Sequence, residues 1–230
     1  MIFHQLFDPV SCTYTYLIAR RHGGEALLID PVYEQVPLYL GLLEDLDLKL
    51  VQAIDTHFHA DHVTGLGSLR RHTGCLAAMG EQTACELVDI RVRDGETIKV
   101  DGIVLDAIHT PGHTQDSFCF VSYGRAFTGD TLLIGATGRT DFDGGDPAAQ
   151  YESLFNRLLK LDDSMLVFPG HDYKGRRVST IGAEKSTNPR LRARNLDEYV
   201  ETMNRLDLPP PKQMDVAVPM NLRMGIWDDA

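Results

Sequence analysis

An apolar run over residues 48–54 ends in Thr56-His57-Phe58-His59-Ala60-Asp61-His62, three imidazoles and a carboxylate within six positions. The run reads as a buried strand and the cluster as the loop at its end, where a rigid base holds reactive side chains. Imidazole with carboxylate suits a divalent transition metal. The absence of thiolate argues against a structural zinc clamp. Three further clusters follow strand-like runs in the same way: Thr110-Pro111-Gly112-His113-Thr114, Thr128-Gly129-Asp130, and Pro169-Gly170-His171-Asp172-Tyr173. Each sets His or Asp beside a glycine, which lets the backbone turn sharply and approach a site closely. One such cluster means little; four together predict a metal site.

The runs around these clusters set the expected architecture. Strands are predicted at 2–7, 13–19, 25–30 and 48–54, then at 75–78, 97–100, 103–108, 118–123, 125–128 and 165–168. Turns are expected at His22-Gly23-Gly24, Asp94-Gly95 and Asp101-Gly102. Alternation in 13–19 suits a half-buried pleated surface. One helix is expected through Leu38, Leu42, Leu43 and Leu46, and another over 64–72 ending at Gly74. A third opens at Asp146-Pro147 with the stripe Tyr151, Leu154, Phe155, Leu158 and Leu159. A late helix starts at the capping box Asn195-Leu196-Asp197-Glu198. Strands that dominate the first half and recur between helices predict an α/β fold, with two sheets packed face to face and helices outside. No linker interrupts the chain, so 1–230 is read as one domain with a short helical tail from about 188 to 230.

Composition narrows the partners. Lys and Arg number 22 against 33 Asp and Glu, a net charge of −11, which disfavours nucleic acid and anionic membrane. The 43% apolar content in 230 residues is enough for a sizeable core. Cys12, Cys75, Cys85 and Cys119 form no CxxC pair and are read as free thiols in a reducing compartment. The first eight residues have neither a basic region nor an apolar core, so a soluble, cytoplasmic protein without signal or transit peptide is expected. His4, His22, His72 and His109 lack ligand-like neighbours and are read as structural or solvated.

The succession His57, His59, Asp61, His62, His113, Asp130, His171 resembles the metallo-β-lactamase superfamily, which implies an αββα sandwich of two mixed sheets over roughly residues 1–175. Nearly the whole chain further resembles the persulfide dioxygenases, or sulfur dioxygenases. That resemblance is carried by Ala126-Phe127-Thr128-Gly129-Asp130, Gly138-Arg139-Thr140-Asp141-Phe142, Pro169-Gly170-His171-Asp172-Tyr173, Ser186-Thr187-Asn188-Pro189-Arg190 and Asp215-Val216-Ala217-Val218-Pro219.

This resemblance implies one Fe(II) per chain held by His57, His113 and Asp130, with glutathione persulfide and O2 as substrates and sulfite and glutathione as products. Two imidazoles and one carboxylate on one face of an iron leave positions open for O2 and sulfur. His59, Asp61, His62 and His171, which hold a second metal in dinuclear relatives, are then an outer layer that orients the ligands. For substrate, Arg139 is expected to clamp a glutathione carboxylate as a bidentate fork. Tyr173 donates its hydroxyl toward substrate or a bound oxygen species, Thr114 lines the pocket, and Arg223 reaches a second carboxylate. A homodimer and a separate sulfurtransferase are expected partners. Two other readings stand beside this one: a dinuclear zinc thioester hydrolase of the glyoxalase II type, and a metal-dependent binding module without catalysis. Against the hydrolase, the tail is short and shows one clear helix.

Overall fold

A computed structural model describes residues 1–142 and 144–227. It contains two six-stranded sheets. The first runs in chain order: β1 (Ile2–Phe7), β2 (Tyr14–Ala19), β3 (Glu25–Ile29), β4 (Lys49–Ile54), β5 (Leu76–Gly80) and β6 (Ile90–Val92). Its first three strands are antiparallel, and β3 to β6 are parallel through crossovers that carry the helices α1 (Val36–Asp45) and α2 (Leu66–Thr73). The second sheet comprises β7 (Thr97–Val100), β8 (Ile103–His109), β9 (Phe118–Ser122), β10 (Arg125–Gly129), β11 (Leu166–Pro169) and β12 (Ser179–Thr180). All its pairs are antiparallel except β10 with β11.

Strand alternation assigns each face. Tyr16, Ile18, Leu27, Ile29 and Ile54 of the first sheet meet Leu105, Phe120, Phe127 and Phe168 of the second in the central core. The alternate residues Leu17, Leu28 and Leu50 pack outward on Leu43 of α1 and on Leu66 and Leu69 of α2. On the far side, Cys119 and Val167 pack on Leu154, Leu158, Tyr199 and Met203. This is the predicted two-sheet sandwich with helices on both outer faces. Phe127, almost fully buried between Phe3, Tyr16 and Phe168, is placed so that truncation to Ala costs about 3–5 kcal/mol.

Three local expectations need correction. Strand β2 is buried at all six positions rather than half-buried, because the helix layer covers its second face. Its tyrosine hydroxyls stay satisfied: Tyr16 donates to the Pro169 carbonyl at 2.6 Å and Tyr14 to the Arg176 carbonyl at 3.0 Å. The helix opened by Asp146, whose carboxylate accepts from the Ala148 and Ala149 amides, is regular only over α3 (Pro147–Tyr151). It then widens into a π turn over Glu152–Arg157, and the whole expected stripe still packs into the outer core.

The tail is richer than the single helix expected. After α4 (Ile181–Thr187), which precedes it, the tail holds a 3-10 turn at Pro189–Arg192, α5 (Leu196–Asn204) capped by Asn195, and α6 (Met214–Asn221). Pro219 lies inside α6, which hid that helix from the sequence. Among the described residues, no helix is long and apolar enough to cross a membrane.

Candidate metal centre

The site sits where loops from both sheets meet. Asp30, just past β3, accepts from the Thr56 amide at 2.6 Å and from the Thr56 hydroxyl at 3.0 Å. The hydroxyl's one proton is thereby spent, so Thr56 Oγ1 accepts from His57 Nδ1 at 2.9 Å. The other nitrogen, Nε2, keeps its lone pair for a metal. His113 is fixed by different means to the same end, because its Nδ1 donates to the Arg139 carbonyl at 2.8 Å and frees Nε2. The turn before it depends on Gly112, with φ of +136°, where an added Cβ would lie 2.3 Å from Gln150. Asp130, just past β10, brings Oδ2 to 3.7 Å from His113 Nε2. One donor atom from each of His57, His113 and Asp130 lies within 4.8 Å of the others.

A second triad, His59, Asp61 and His62, lies alongside with donor atoms equally close together. His59 Nε2 is 3.3 Å from Asp30 Oδ1, and His62 Nδ1 is 3.1 Å from Asp61 Oδ2. Their remaining nitrogens, His59 Nδ1 and His62 Nε2, are buried with no hydrogen-bond partner among the described residues. Four imidazoles thus each keep one basic nitrogen while the other is bound to an oxygen. Burial, reinforced by neighbouring imidazoles, holds His57 and His59 well below the ordinary histidine value, in the neutral form that ligates. This donor set fits a divalent transition metal.

His171 stands between the triads, with Nδ1 2.6 Å from Asp130 Oδ1 and Nε2 2.8 Å from Asp61 Oδ2. Burial opposes a charged ring, but the two carboxylates outweigh it and raise the His171 pKa well above its ordinary value. Burial likewise opposes ionisation of Asp61 and Asp130, and the adjacent His171 more than offsets it, holding both well below the usual carboxylate range.

The expected substrate residues take several positions. Tyr173 is 70% exposed, its ring stacked parallel to His171 with centroids 6.2 Å apart, so it stands at the mouth of the site. Thr114 donates to Asp116 Oδ1 at 2.7 Å, and the same oxygen accepts from the Phe58 amide at 3.2 Å, tying the His113 loop to the His57 loop. Arg139 forks onto Asp141 at 2.6 and 2.8 Å and donates to the carbonyls of Pro209 and Leu208 at 2.7 and 3.0 Å. A substrate carboxylate at Arg139 therefore has to displace Asp141. Arg223 is exposed on the turn after α6. Sequence reasoning missed Asp30, Thr56 and Asp116. Asp30 and Thr56, polar residues at strand ends, carried a local signal; Asp116 carried none beyond its nearness to His113.

The sequence profile described as the metallo-beta-lactamase superfamily matches residues 10–171. The sandwich and the His/Asp loops at its edge agree, and the chain belongs to that superfamily. The human protein "Persulfide dioxygenase ETHE1, mitochondrial" is 42% identical over 229 residues, 98% of this chain and 89% of that protein. The crystal structure of ETHE1 from Myxococcus xanthus superposes with a TM-score of 0.95 at 45% identity, covering 98% of this chain and 100% of that one. Hydroxyacylglutathione hydrolase GloC of Haemophilus influenzae is 33% identical over 193 residues, 74% of this chain and 89% of that protein. Within the superfamily, the chain belongs to the persulfide dioxygenase family of oxidoreductases.

Proposed function

We propose that the chain oxidises glutathione persulfide with O2 and one water to sulfite and glutathione, using one Fe(II) held by His57, His113 and Asp130. The observation that carries the reading is the shared preparation of the two imidazoles, each with Nδ1 bound to a fixed oxygen, in a triad whose donor atoms, one each from His57, His113 and Asp130, lie within 4.8 Å of one another. Ferrous iron, when bound, supplies activation of O2 toward sulfur. The chain's own residues do the rest. Asp30 and Thr56 fix the His57 ring, the Arg139 carbonyl fixes His113, and His171 fixes Asp130. Tyr173 offers a hydroxyl at the mouth, and Thr114 holds the two ligand loops together. Arg139 and Arg223 are the cations proposed for the glutathione carboxylates.

A homodimer and a separate sulfurtransferase that hands over the persulfide are the proposed partners. The continuous packing of the tail onto the outer core supports one domain, whose last residues, 228–230, lie outside the described part. Four cysteines without disulfides support a reducing compartment such as the cytoplasm; the human relative is named as mitochondrial.

One observation favours a second reading, a dinuclear zinc thioester hydrolase. The free nitrogens of His59 and His62 are prepared for an ion as well as those of His57 and His113 are. Metal analysis of the purified chain, with O2 uptake on glutathione persulfide and hydrolysis of S-lactoylglutathione, separates the two. One iron per chain with O2 uptake is expected. Two zinc ions with thioester hydrolysis and no O2 uptake would select the hydrolase.

A further inference from the structure

Asn221, the last residue of α6, is buried, and it faces the backbone of the metal-binding loop. Its Nδ2 donates both hydrogens, to the carbonyls of His59 at 2.8 Å and His62 at 2.9 Å. Its Oδ1 accepts from the Thr64 amide at 2.9 Å. Two carbonyls on one side and an N–H on the other fix the orientation of the amide. Asp30 fixes the start of the loop through Thr56, and Asp116 fixes its middle through Phe58. Asn221 fixes three backbone groups in the second half, from which the rings of His59 and His62 project, and the Tyr33 amide adds a bond to the Val63 carbonyl at 2.9 Å.

The tail is firmly seated around this residue. The Gly67 amide at the start of α2 donates to the Met224 carbonyl at 3.0 Å, and Met224 is fully buried in the outer core. Gly225, with φ of +66°, passes so close that an added Cβ would lie 2.2 Å from the Thr64 carbonyl. Asn221 therefore acts from a rigid platform on His59, whose ring packs against that of the ligand His57 with centroids 4.1 Å apart.

We propose that Asn221 is a positioning residue of the metal centre, through which the C-terminal segment sets the placement of His59 and His62. It lies outside residues 10–171, the span matched by the superfamily profile. The proposal rests on the reading of the triads as a metal centre and is indifferent to the reaction run there.

The test is Fe(II) affinity by anaerobic chelator competition, together with the Co(II) absorption spectrum, for the parent, Asn221→Ala and Asn221→Ser. In the folded variants, affinity is expected to fall about 10–100-fold with an altered cobalt spectrum. A purely structural residue would lower the melting temperature and leave both metal readouts of the folded protein at parental values, and that result would overturn the proposal. A measurement on the parent needs no variant. Adding Fe(II) is expected to slow amide exchange over 59–64 and 214–226 together, and protection confined to the loop overturns the proposal. A parent that binds Fe(II) without consuming O2 on persulfide counts against the dioxygenase reading alone.

Discussion

His171 braces Asp130 from behind, its Nδ1 at 2.6 Å from Oδ1, while Oδ2 stays turned toward His113. The contact has a pH signature in the metal-free protein. His171, raised above its ordinary 6.5, contributes stability that is fully present below that value and is lost as pH rises through the folded value. Asp130, depressed below its ordinary 3.8, contributes stability present above that value and lost as pH falls through the folded one. Thermal melts after chelation are expected to peak between these limits and to decline on the alkaline side. His171→Ala is expected to flatten that decline; an unchanged alkaline limb would remove this contact as its source.

Asp130→Ala removes the only carboxylate of the first triad. Bound iron and O2 uptake are expected to disappear together, measured on the same preparation. A variant that kept its iron and its rate would show that Asp130 is not a ligand.

Thr56 relays Asp30 to His57 through one hydroxyl. Thr56→Val keeps the shape and removes the relay, so metal affinity is expected to fall about 10–100-fold. Thr56→Ser is expected to restore most of it. Equal affinities for Val and Ser would mean that His57 is held by packing alone.

Arg139→Ala is expected to raise KM for glutathione persulfide more than it lowers kcat. It also releases the carbonyls of Leu208 and Pro209, so faster limited proteolysis over 205–213 is expected. An unchanged KM with faster cleavage would leave Arg139 as a tie for the tail and remove it from substrate binding.

Much of the centre was legible in the sequence because each of its parts is local. A strand-length apolar run followed by His or Asp beside Gly marks a loop end whatever the fold around it. His113, Asp130 and His171 were singled out this way, and His57, His59, Asp61 and His62 as a run of imidazoles and a carboxylate after a strand. Asn221 was invisible for the opposite reason: its partners are backbone groups as far as 162 residues away, and no pattern along the chain records a carbonyl waiting for a donor. Strands β6 and β12 were missed because three and two residues carry no period to detect. The half-buried reading of β2 failed because alternation of Thr and Tyr reports side-chain type, and buried hydroxyls with carbonyl partners fill an interior as readily as a rim.

His57, His59, Asp61 and His62 hang from one sheet, and His113, Asp130 and His171 from the other. An ion gripped at that seam rivets the two halves of the sandwich. Its binding free energy then adds to whatever the aromatic filling contributes to keeping them shut. Starving the protein of metal would thus weaken its architecture as well as silence its chemistry.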